Sequence, residues 1–231
     1  MARQRPSDGF QRLLDAGLTT FARKGLHATR MADVAATMGV SAGTLYQYVE
    51  SKEALFYVLV DRGLDDGPVP LPEELPVKAP PGDRIRERLA EQMAEHGRRP
   101  LFEAAFMGRA PKDAREELAA IVGELFDFTL RTRRWIDLIE RSAPELPDIA
   151  AMFGPLREAF FATLTAYVES RMESGAFRRD VDAAVAARFV VESVTFFARH
   201  RHNDPSPIPL DETQVRASTV ALIVSSLLKS R

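Results

Sequence analysis

The stretch from Thr29 to Leu55, TRMADVAATMGVSAGTLYQYVESKEAL, constrains the fold more than any other part of the chain. Behind Thr29, a good N-cap residue, Met31, Val34, Ala35 and Met38 recur at helical spacing, and Gly39 can take the left-handed conformation that ends a helix. Gly39-Val40-Ser41 then reads as a turn. Ser41 caps a second short helix reaching Val49, with Val40, Leu45 and Val49 turned inward and Thr44, Tyr46, Gln47 and Tyr48 dividing the outer face. Two short helices joined by a glycine-containing turn, the second offering polar and aromatic side chains, have the geometry that seats a recognition helix in the DNA major groove.

The flanks fit this reading. From Asp8 to Lys24, residues Phe10, Leu13, Leu14, Gly17, Leu18 and Phe21 form one apolar stripe of a bracing helix. Met1 to Ser7, with Arg3 and Arg5, reads as a terminal arm able to reach phosphates or as a plain frayed end. Ser51 caps a further helix expected to run to about Asp66, with Glu53 in its first turn and Leu55, Phe56, Leu59 and Val60 on its buried side. Gly67 to Gly82 then holds 6 of the chain's 15 prolines, which no helix can absorb, so a domain boundary is placed there. Helices are expected at 83–98, 100–108, 112–142 (either whole or broken near Arg131 to Arg134), 150–174, 182–201 and 211–229, with loops at Ala143 to Pro147 and Asn203 to Pro209. No alternating strand pattern intervenes, and the fold class expected is all-α.

Composition narrows the function classes. The chain has no cysteine, which excludes disulfides and thiolate metal sites. No apolar run approaches the ~20 residues needed to span a bilayer, and the first residues lack a signal-peptide core, so a cytoplasmic protein is expected. Net charge is −2, but residues 1–62 carry 8 Lys and Arg against 6 Asp and Glu while the remainder carries 23 against 27. A weakly basic head on an acidic body gives mild support for DNA binding. Phosphate loops, dinucleotide fingerprints and His-Glu-x-x-His zinc motifs are absent, and the acidic residues sit at solvated helix-surface spacings, so no enzyme and no cofactor are expected. His200 and His202, two apart, would face different sides of a helix, and His96 reads as a cap or solvated residue; no metal site is expected.

An aromatic (Phe21), Lys24-Gly25, Thr29, Val34-Ala35, the run Gly39 to Tyr48 and Ser51 to Leu55 together make a pattern that resembles the TetR family of transcriptional regulators. The resemblance covers about the first quarter of the chain. Two positions depart from it: Ala42 stands where relatives often have a basic residue, and Val49 replaces the usual Phe. The resemblance implies a DNA-binding domain over 1–50, a connecting helix over 51–66 and a helical ligand-binding and dimerisation domain over 67–231. It also implies a homodimer on a double-stranded, palindromic operator and a repressor released by a small molecule. The DNA-binding set comprises Thr29, Arg30, Ser41, Ala42, Gly43, Thr44, Tyr46, Gln47, Tyr48 and Lys52. Thr29, Arg30, Tyr48 and Lys52 are assigned to phosphates; Thr44, Tyr46 and Gln47 are placed to touch bases, sugars or phosphates. An architectural DNA-binding protein without an effector is the alternative.

In the body, Met93, Phe102, Phe106, Phe126, Trp135, Phe153 and Phe160 are candidates to line a pocket for a largely apolar ligand, with a closed core as the competing reading of the same residues. The last two helices are apolar nearly all round, as at Val220 to Val224, and such helices need cover on two sides. Val190, Val194, Phe197, Ala217, Val220, Ala221, Val224 and Leu228 are therefore candidates for a dimer interface, with a hairpin buried inside a monomer as the other solution.

Overall fold

The computed structural model describes residues 7–64, 69–107 and 113–229. Residues 1–6 of the expected arm, the end of the 51–66 helix and the residues 108 and 112 at two expected helix ends lie outside them, and Ser7, expected in the arm, opens the first helix. The described residues form ten α-helices, with no strand beyond two isolated bridges, so the chain is all-α. By contact it forms two compact units: Met1–Arg98 with Arg134–Met152, and Arg99–Arg133 with Phe153–Arg231.

The first unit contains α1 (Ser7–Ala28), α2 (Met31–Met38), α3 (Ala42–Leu45), α4 (Lys52–Arg62) and α5 (Gly82–His96). Its core is the apolar stripe of α1 closed by the helices that follow: Phe10, Leu13, Phe21, Val34, Leu45, Val49, Leu55 and Phe56 are all fully buried. The Phe21 and Phe56 rings meet at 5.7 Å. α1 is kinked at Gly25, whose φ of 80° and ψ of 176° suit glycine best, and an added Cβ there would also crowd the Arg141 carbonyl. The same unit takes in the end of α7 (Ala114–Ser142) and a 3₁₀ turn at Ala143–Glu145, where a loop was expected. α7 is continuous through Arg131 to Arg134.

The second unit is built from α6 (Pro100–Phe106), the first part of α7, α8 (Pro147–Glu173) from Phe153 onward, α9 (Ala183–Ala198) and α10 (Glu212–Leu227). α8 starts earlier than expected because proline suits the first position of a helix, where its missing N–H costs nothing. Asp182 caps α9 and Asp211 caps α10, each carboxylate accepting from backbone N–H groups of the first turn. α7 and α8 are pinned by a buried ionic cluster: the Tyr167 hydroxyl donates to Glu117 at 2.8 Å, and Arg171 donates to both oxygens of that carboxylate at 2.6 and 2.9 Å. Burial and the adjacent Glu117 push the Tyr167 phenol far above its ordinary range.

Candidate nucleic-acid interface

The helix-turn-helix is set by its glycine. Gly39 adopts φ 76° and ψ 34°; its N–H donates to the Ala36 carbonyl at 3.2 Å and the Val40 N–H to that of Ala35 at 3.0 Å, the paired bonds of a Schellman ending. Nothing lies within 4 Å of where a Cβ would stand, so replacing Gly39 with alanine costs only left-handed backbone strain. The expected loss is ~1 kcal/mol, read as a shift in the denaturant midpoint of the folded chain. Ser41 then caps α3 in extended conformation, its hydroxyl 3.0 Å from that of Thr44. The Arg12 guanidinium closes the other side by donating to the Met38 carbonyl at 2.9 Å.

Arg30, Ser41, Gly43, Tyr46 and Gln47 are exposed, Ala42, Thr44 and Lys52 are half-buried, and together they occupy the start of α2, α3 with the turn after it, and the first turn of α4. Three sequence expectations need correction. The residue capping α2 is Arg30, whose N–H donates to the Asp33 carboxylate at 3.0 Å; Thr29 is only 1% exposed, its hydroxyl donating to the Gly25 carbonyl at 2.6 Å. Thr29 therefore seals the kink of α1 and presents no hydroxyl to a phosphate. α3 ends at Leu45 and is followed by a turn over residues 46–48, because Val49 leaves the helix to pair with Val77. Tyr48 is 4% exposed and faces inward, its ring 6.0 Å from that of Phe10, where Gly9 supplies the space: an added Cβ would fall 2.3 Å from the phenol oxygen.

Electrostatics hold the entry to α2. Lys24 lies 2.9 Å from Asp33 and, with the Arg30 N–H, holds that carboxyl below its usual value of 3.8. A depressed carboxylate stabilises the fold above the unfolded pKa, so this contact is intact at neutral pH and is lost on acidification below ~4. The Lys52 ammonium donates to the His27 carbonyl at 3.4 Å, and the His27 N–H donates to the Glu145 carboxylate at 2.6 Å. Sequence reasoning missed Glu145 and Val77, since each reaches the motif from a distant part of the chain.

Residues 13–58 match the family model of bacterial regulatory proteins, tetR family. Over these residues the chain is similar to TetR-family regulators. Among curated relatives, an HTH-type transcriptional regulator, YfiR, of Bacillus subtilis is 42% identical over 24% of the chain and 27% of its own length. The HTH-type transcriptional repressor KstR2 of Rhodococcus jostii is 41% identical over 23% and 26%. The matches thus span about a quarter of those relatives' length. The fold likeness is wider: the ketosteroid transcriptional regulator KstR2 of Mycobacterium tuberculosis aligns over 98% of each chain with a TM-score of 0.57 at 19% identity. SCO3833 of Streptomyces coelicolor aligns over 94% and 91% with a TM-score of 0.55 at 19% identity.

Elsewhere in the chain, the expected pocket residues divide between the two units. Phe102 and Phe126 lie in the closed core of the second unit, Phe160 packs half-buried against it, Phe153 is half-buried and Phe106 is exposed. Met93 and Trp135 belong to the first unit, where the Trp135 indole N–H points at the Val60 carbonyl at 3.4 Å. Of the expected dimer residues, Val190, Val194 and Val224 are buried in their own unit's core, and Phe197, Val220 and Leu228 are half-buried. Only Ala217 and Ala221 are exposed; also exposed are apolar residues outside the expected interface set, Val185, Phe189 and Phe196 on α9 and Leu222 on α10. No group of three or more metal-ligating residues occurs among the described residues, and none of their helices is long and apolar enough to cross a membrane.

Proposed function

We propose that this chain is a dimeric transcriptional repressor of the cytoplasm that binds a palindromic operator and is released by a small, largely apolar molecule. The observation that carries the reading is the surface formed by α3 and the turn after it, where Ser41, Gly43, Tyr46 and Gln47 stand exposed on a rigidly capped frame. Gln47 has the amide that can bond an adenine edge, whereas Lys52 and Arg30 offer charge to phosphates. Residues 1–50 do the reading and the helix from 51 acts as the lever. The exposed faces of α9 and α10 meet a second copy, setting two heads ~34 Å apart. The effector reading is supported by the ring cluster of Phe102, Phe160, Phe161 and Tyr167, whose Phe160 and Phe161 are half open, and by the ketosteroid regulator among the fold's likenesses.

Selection from a random DNA library tests this. A short palindrome should be enriched, and Gln47→Ala should lose ~1–3 kcal/mol on that site and alter which variants are preferred. Unchanged preference would remove Gln47 from the readers. Coating of DNA without any enriched sequence would favour an architectural protein and sink the repressor reading.

A further inference from the structure

The proline-rich segment after α4 is not a free linker. Pro76, Pro80 and Pro81 fix their own φ and bias Leu75 and Ala79 toward extended backbone, which leaves the segment able to pair. It pairs with the motif itself. The Val77 N–H donates to the Tyr48 carbonyl at 2.8 Å and the Glu50 N–H donates to the Val77 carbonyl at 2.9 Å, the two bonds of a parallel bridge that flank Val49. Two residues on, the Ala79 N–H donates to the Glu50 carboxylate at 2.8 Å, and further back the Val69 N–H donates to the Gln11 side chain at 3.0 Å. Three hydrogen bonds thus strap residues 77–79 to the loop that joins α3 to α4, and a fourth ties Val69 to α1.

Parallel register sets Lys78 opposite Glu50, about one strand spacing of ~4.8 Å away, and Glu50 is two residues from Lys52. Glu50 is already engaged by the Ala79 N–H. Lys78 is exposed and makes no hydrogen bond or ion pair among the described residues. We propose that this strap extends the DNA-facing surface beyond the helix-turn-helix and that Lys78 contacts a backbone phosphate of the bound duplex. The inference rests on the DNA-binding reading above. It is local to one cation, because the exposed Glu73 and Glu74 make the segment as a whole no basic patch. A contact here would offset the missing positive charge at Ala42.

The test is the salt dependence of binding to a labelled duplex recovered from the library selection, followed by fluorescence anisotropy. Removing one phosphate contact lowers the slope of log K against log salt by ~0.9, which at 0.15 M salt is about a fivefold loss of affinity. Lys78→Ala should give that change equally on all sequences, with folding untouched because the side chain is exposed. Val77→Pro, which cannot donate to Tyr48, should lower the slope similarly while Lys78 is still present, with helix content kept by circular dichroism. A Lys78→Ala protein with the wild-type slope, or with tighter binding, overturns the strap contact. Wild type that selects no duplex would instead sink the DNA-binding reading itself.

Discussion

Replacing Leu222 with glutamate is expected to give a folded monomer that no longer holds its operator. Leu222 is 64% exposed on α10, and Val185, Phe189 and Phe196 are exposed on α9, the latter at the i, i+4 and i+11 positions of one helical face. Apolar side chains so placed contribute nothing to their own core and gain only from a second copy. A carboxylate buried in that seam costs ~4 kcal/mol, about a thousandfold in the dimer constant, and two heads that bind one palindrome cooperatively then bind as singles. Val224→Glu is the contrast. That residue is 2% exposed inside its own unit, so the same charge there should unfold the chain instead of splitting a dimer. Sedimentation velocity with far-UV circular dichroism separates the outcomes, and a wild type that is monomeric at micromolar concentration would sink the dimer reading.

These helices show how far a sequence can be followed. The all-round apolar pattern of α9 and α10 leads to the expectation that both sides need cover, yet it does not tell which side the chain itself covers. Periodicity marks a face, and the choice between Val224 and Leu222 depends on how α9 and α10 roll against α7 and α8. The helix-turn-helix was more legible because its signals are local: Gly39 as a left-handed stop, Ser41 and Ser51 as caps, Val34 and Leu45 at core spacing. Tyr48 misled for a related reason. Helical geometry extended past Leu45 would turn it outward, whereas the bridge between Val49 and Val77 ends the helix and the small Gly9 lets the ring drop onto Phe10. Neither Val77 nor Glu145 is near the motif in sequence, so no local pattern could have assigned them to it.

Phe126→Ala is expected to lower the stability of the folded chain by ~3–5 kcal/mol, seen as a shifted denaturant midpoint. The ring is fully buried among residues of α7, α8, α9 and α10, where nothing else can fill the volume it leaves. Phe160→Ala should cost less, ~1–2 kcal/mol, because its ring is half-buried and already borders water, although it packs at a tilt 5.8 Å from Phe102. The order reverses for the effector. If an apolar ligand enters at the open edge of this ring cluster, Phe160→Ala should raise the concentration needed to free the operator, and Phe126→Ala should leave it nearly unchanged in the folded fraction. Trp135 is a poor contact probe but a good reporter of the lever. Its ring lies against Gly63, where an added Cβ would fall 2.3 Å away, and its N–H points at Val60, so its emission should follow displacement at the end of α4. Emission that changes together with operator release would tie the effector to α4. A Phe126→Ala chain as stable as wild type, with weakened effector response, would make Phe126 a pocket wall and overturn its assignment to the closed core.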